Sequence, residues 1–176
     1  LFVRDVKVVV ADKAYFVDKE VLPNFILLPC SGAQAICWQE LDGRSKETRA
    51  RIVLPTLLQG DLKEILLDVF AKYRWNLGRT IAGYNWANPT EGGLTGAYFD
   101  YVSFYKKNPE LTEDEKEKCK EKFDKYPDIG GKFSADYLEW MTFEKEGVQK
   151  LNNIARGIFS KFVPFSKRIR ENMAKF

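Results

Sequence analysis

The chain has no histidine at all. That absence removes Ser/His/Asp and Cys/His nucleophilic catalysis, HExxH metalloprotease chemistry and every zinc site that uses imidazole, because each needs that ring as base or ligand. Cysteine is scarce, with three residues, Cys30, Cys37 and Cys119, and none falls in a CxxC pair. A four-cysteine zinc site within one chain is excluded. Any disulfide scheme also leaves one thiol over, so a reducing, cytoplasmic setting is the expectation. No apolar run approaches the roughly 18 to 20 residues that cross a bilayer, and no transmembrane segment is expected. No basic stretch leads into an apolar h-region behind Leu1. The expectation is a chain without a secretory signal, either processed or a piece of a longer protein. Phosphate-loop and dinucleotide glycine spacings are missing, and so is an Asp-rich EF-hand spacing, although a carboxylate site for magnesium or calcium stays open. No catalytic residue, cofactor or metal ligand is assigned.

What is present points to a folded domain. The chain has 176 residues, 45% hydrophobic and 14% aromatic, which suits one ordinary domain or two small, closely packed ones and can bury a core without disulfides. Its first third carries short β-branched or aromatic runs at Val6–Val10, Ala14–Val17, Asn24–Leu28 and Ala35–Leu41, with a charged loop around Arg44–Arg49 and a last strand at Ala50–Leu54. These predict a small, mainly antiparallel sheet over residues 1–59. From Gly60 the period changes. Asp61 is a good N-cap, and Leu62, Ile65, Leu66, Val69, Phe70, Tyr73 and Leu77 recur at helical steps.

A second helix is expected from near Thr95 to about Lys107, stopped by Asn108-Pro109. A third begins at Thr112, where Glu115 completes a capping-box pattern. A break at Gly130-Gly131 should precede a fourth helix carrying Tyr137, Leu138, Trp140 and Met141 and ending at Gly147. A fifth is expected over Val148–Val163 and a short sixth from Pro164. The fold class is therefore α+β, a strand-rich portion followed by a bundle of about five to six helices over 60–176, expected to form one compact unit.

The stretch RWNLGRTIAGYNWANPTEGG, Arg74 to Gly93, raises two readings. Arg74 and Arg79 form an anion site facing a phosphate or carboxylate, or they bridge a helix to its neighbours, with the Arg79 guanidinium lying over Trp75 four residues earlier. The aromatic series Tyr98, Phe99, Tyr101, Phe104 and Tyr105 reads as a helix buried between layers rather than a base-stacking platform. Asp100, Glu139, Glu144 and Glu146 are carboxylates that sequence cannot bring together. The end of the chain is basic: Arg156 to Phe176 holds six Lys or Arg and one Glu, about +5, against about −2 for the remainder and a formal total of +3. Its apolar stripe of Ile158, Phe162, Phe165, Ile169, Met173 and Phe176 meets either the chain's own core or a partner. In the second case the partner-binding residues are Arg156, Lys161, Phe165, Lys167, Arg168, Ile169, Arg170 and Phe176.

Four segments carry a resemblance: CWQELDGR at Cys37–Arg44, RWNLGR at Arg74–Arg79, LTGAYFDYVSFYKKN at Leu94–Asn108 and KLNNIARGIF at Lys150–Phe159. Together they are similar to the C-terminal part of long, uncharacterised bacterial proteins, some with a cyclic-nucleotide-binding-like region elsewhere. The resemblance implies a bacterial cytoplasmic setting and a truncated N-terminus. It carries over no nucleotide-site residue.

The functional expectation is a non-catalytic interaction or structural module of a larger protein or assembly, with a protein partner or a homo-oligomer. Two alternatives stay open. One is a nucleic-acid or anionic-surface binder using the basic end. The other is a histidine-free carboxylate/arginine enzyme acting on a phosphorylated or sugar substrate.

Overall fold

A computed structural model describes residues 2–10, 13–20, 22–38 and 50–173, with the backbone alone for 2–10, 13–20, 170 and 172–173. The loop expected at Arg44–Arg49, the end of the Ala35–Leu41 run and Phe176 lie outside the described residues. The class is α+β. Strands β1 (Phe2–Val10) and β2 (Lys13–Glu20) pair antiparallel in a two-stranded sheet, with a register irregularity between Arg4 and Val6. A second sheet has the order β3-β5-β4, from β3 (Asn24–Gly32), β4 (Ile36–Trp38) and β5 (Arg51–Leu58).

β5 therefore lies between two strands that precede it. It runs antiparallel to β4 but parallel to β3. The parallel pairing is the longer of the two and adds a feature that the alternating runs alone did not signal.

Helix α1 (Leu62–Ala82) starts where Asp61 accepts from the amides of Lys63 and Glu64, and it ends at Gly83, whose φ of 58° closes the last turn. One of its faces, Ile65, Val69, Tyr73 and Leu77, packs with Ala35, Ala50, Ile52 and Leu54 of the sheet portion. Ala71 and Trp75 turn the other way into the helical core. These two sets follow steps of four and lie apart around the helix, so α1 is a wall shared by sheet and bundle.

The rest of the bundle is α2 (Gly93–Phe104), α3 (Glu113–Phe123), α4 (Ile129–Thr142), α5 (Asn153–Phe162) and α6 (Lys167–Met173). Tyr105–Lys107 tightens into a 3-10 turn after α2, and the capping box of Thr112 and Glu115 is formed at α3. Two expectations need correction. Gly130 and Gly131 do not break the chain before α4; they occupy its first turn, capped by Asp128, whose side chain accepts from the Gly131 amide at 2.8 Å. Close packing favours glycine there, since a Cβ on Gly130 would lie 3.0 Å from the Trp75 ring. The fifth helix starts only after Asn152, which caps it through the Ala155 amide. Val148–Leu151 stays non-helical because the amides of Lys150 and Leu151 are held by the Glu144 carboxylate at 2.7 and 2.9 Å.

Aromatic rings fill the bundle core. Tyr98, Phe133 and Phe159 are fully buried, with Trp75 and Trp140 beside them. Trp75 meets Tyr98 edge-on, and Phe133 stacks on Phe159 at 5.3 Å. Among the described residues, no helix is long and apolar enough to cross a membrane.

Candidate functional site

Alternation along β5 sorts the small sheet into two faces. Ile52 and Leu54 are buried towards α1, so Arg51, Val53, Pro55 and Leu57 belong to the opposite, outer face. Register then places the neighbours. Ile26 lies opposite Val53 and Leu28 opposite Pro55, while on the other side Ile36 lies opposite Val53 and Trp38 opposite Arg51. Cross-strand partners share a face, so Ile26, Leu28, Ile36, Trp38 and Leu57 converge on the outer one. Trp38 is 62%, Ile36 65% and Leu57 68% exposed.

Strand β3 is uncovered in a further sense. Phe25 and Leu27, on its inner side, are also exposed, although Phe25 meets Phe70 of α1 edge-on at 6.2 Å. An unbroken apolar run is the pattern of a strand covered on both faces, and here neither face of β3 is closed. The sequence reading placed its site residues elsewhere. The signal it passed over was the lack of alternation in NFILL, combined with two large apolar residues in ICW.

The arginines of the opening stretch do not converge. Arg74 donates to the carbonyl of Phe162, the last residue of α5, where an unpaired helix carbonyl and the negative end of the helix dipole attract a cation. Burial holds its guanidinium below the ordinary arginine value, opposed by the Tyr137 and Tyr73 phenols. Arg79 stacks on Trp86, 4.5 Å from the ring centroid, rather than on Trp75 as its spacing suggested. The reason is that Trp75 is already packed, edge-on to Tyr98 and tilted against Phe133. The loop that follows also consumes its own donors. Asn88 Oδ1 accepts from the Thr90 amide at 2.9 Å, and Thr95 Oγ1 donates to the Trp86 carbonyl at 2.7 Å.

The basic end divides in the same way. Arg156 pairs with the buried Glu144 at 3.0 Å and donates to the Leu151 carbonyl at 2.9 Å. Phe165 is buried and stacks on Trp140 at 4.3 Å, and Ile169 packs against the same core. These three side chains are engaged in the fold. Lys161, Lys167 and Arg168 are exposed, with Lys167 3.7 Å from Glu171. The side chain of Arg170 and all of Phe176 lie outside the described residues.

A polar cleft of about 620 Å³ opens between α3, α4 and the start of α5, lined by residues including Lys122, Tyr126, Asp136, Glu139, Lys150 and Asn152. In it Lys122 Nζ donates to Asp136 at 2.9 Å and to Glu139 at 2.6 Å, while the Tyr98 hydroxyl donates to the other Asp136 oxygen at 2.7 Å. Asn152 Nδ2 donates to the Tyr101 hydroxyl and to Cys119 Sγ. Burial raises the Asp136 carboxyl, against the pull of Lys122 and Tyr98. Burial also pushes up the Cys119 thiol, so it stays protonated and is a poor nucleophile. The sequence reading named Glu139 but not Asp136 or Lys122. Neither Arg74 nor Arg79 lines the cleft. Chemically the cluster is a charge-neutralising stitch among α2, α3 and α4, with each buried carboxylate oxygen of Asp136 already satisfied.

The molecule is thus an α+β protein with an aromatic helical core and a small sheet whose outer face is apolar and open. The chain belongs to the family described as a domain of unknown function, DUF8509, which matches residues 83–176. That segment contains α2 to α6 and the whole cleft, yet its core is completed by Ala71 and Trp75 of α1, which precede it. No curated protein and no solved structure matches the chain.

Proposed function

We propose that the chain is a non-catalytic interaction module of a larger bacterial cytoplasmic protein or assembly, with the helical portion as scaffold and the outer sheet face as the surface that receives a protein partner. The observation that carries this is the convergence of Ile26, Leu28, Ile36, Trp38 and Leu57 on one exposed sheet face. A patch of that kind is expensive to leave in water and marks a docking surface in folded proteins. Arg51 is the single charge among the described residues of that face, which favours a protein over nucleic acid or an anionic membrane.

At high dilution, a solvatochromic dye should bind the wild type and lose most of its signal in the Ile36→Ser/Trp38→Ser variant, whose far-UV circular dichroism should match the wild type. Equal dye signal in both proteins, or loss of the fold in the variant, would contradict the reading.

A second reading, a carboxylate enzyme, draws on Lys122, Asp136 and Glu139 in the cleft. Its support is weaker, because the cluster's charges are already spent on one another. Among the described side chains of the basic end, the nucleic-acid reading draws on Lys161, Lys167 and Arg168.

A further inference from the structure

Resting on the outer face as an interaction surface, we infer that its partner is a second copy of the same chain, stacked sheet on sheet about a two-fold axis. Three properties of the face support this occupant. Area is the first. A large aromatic or aliphatic side chain presents on the order of 150 to 250 Å², so at the observed exposures the five side chains offer roughly 500 Å² of apolar surface per copy. Two copies would bury roughly 1,000 Å², the lower bound for a specific interface, before the strand margins are included.

Charge is the second property. The chain carries a formal +3, so two copies carry a small net repulsion. The outer face nearly avoids this penalty, since its described positions on β3, β4 and β5 are apolar or uncharged except for Arg51. A face that is apolar but for one arginine is nearly complementary to itself, which an isologous two-fold contact requires.

Layering is the third. On the inner face β5 packs against α1, whereas among the described residues the outer face of the pair β3–β5 leaves Ile26, Leu28 and Leu57 exposed, with Pro55 buried between them. Parallel sheets are ordinarily covered on both faces, and a second sheet at about 10 Å supplies the missing layer. Trp38 and Ile36, both more than half exposed on the edge strand β4, then supply anchors of the contact, an aromatic one among them.

Sedimentation equilibrium from low to high micromolar concentration tests the inference. The wild-type mass should rise from 20.4 kDa towards twice that value. Trp38→Glu and Ile36→Ser should each stay at the monomer mass throughout, with unchanged circular dichroism, so that misfolding of one variant leaves the other to decide. A wild type that stays monomeric, or variants that dimerise as well as it does, would overturn the second copy as partner. If that monomer still binds the dye through Ile36 and Trp38, the interaction surface stands and only the choice of partner fails. If it does not, the outer face is closed within the chain and both readings fall.

Discussion

Trp140 carries structural weight through both its face and its edge. Its ring stacks on Phe165 at an interplanar angle of 8°, and its Nε1 donates to the Val163 carbonyl at 3.0 Å. Trp75 holds a comparable place between α1, α2 and α4. Removing a buried aromatic of this size typically costs about 3 to 5 kcal/mol, so Trp75→Ala and Trp140→Ala should each melt on the order of 10 °C below the wild type. Unchanged melting would contradict their place in the core.

The thiols give a second test at this scale. Burial pushes Cys37 up to about 11, with Lys72 opposing, and raises Cys119, whereas Cys30 is exposed. Maleimide labelling near neutral pH, followed by mass spectrometry, should modify Cys30 well before the other two; Cys119 reacting as fast as Cys30 would contradict the packing.

Asp136 predicts a pH dependence. Its folded pKa is raised, so its contribution to stability is full below the unfolded value, roughly 4, and is lost as pH rises through the folded value. Asp136→Asn should therefore gain melting temperature relative to the wild type as pH rises from about 4 towards neutrality. A relative loss would mean that the attraction of Lys122 outweighs burial.

At the scale of elements, the junction of α1 and α4 is closely packed around one glycine. Gly130→Ala places a methyl 3.0 Å from the Trp75 ring, and overpacking of this kind typically costs about 1 to 3 kcal/mol. Its melting curve should show that loss, while Gly157→Ala, where a Cβ meets nothing within 4 Å, should lose none.

Phe165 and Ile169 behave as parts of the core. Deleting residues 165–176 uncovers Trp140, so it should lower the melting temperature by several degrees; an unchanged melt would return the stripe to partner binding.

Local features were legible in the sequence. The Asp61 cap, the Thr112–Glu115 box and the period of α1 depend on residues within one or two turns, and the structure has them. Features set by distant chain were not. The glycine pair at 130–131 reads locally as a break, but Trp75 makes it part of a helix. Val148–Leu151 has a helical pattern, but Glu144 takes its amides. Asp136 finds Lys122 at 14 residues' separation and Tyr98 at 38, which no spacing rule anticipates. The outer face depends on β5 lying between β3 and β4, an order that alternation alone does not specify.

At the scale of the whole molecule, α1 joins two cores that differ in completeness. Among the described residues, the helical core is filled by aromatic rings from several helices, whereas the sheet core packs against α1 alone. Stability is thus concentrated in the bundle, and the open apolar surface in the sheet. The central claim is that the outer face is uncovered in the single chain and available to a partner. Acrylamide quenching of tryptophan fluorescence at nanomolar dilution, in a Trp86→Phe background, tests it directly, because Trp38 is 62% exposed while Trp75 and Trp140 are buried; Trp86, partly buried against Arg79, is removed so that it adds no quenchable signal. That protein should show a readily quenched component that disappears when Trp38→Phe is added. Identical quenching in the two proteins would show that Trp38 is already covered within the chain and would contradict the account.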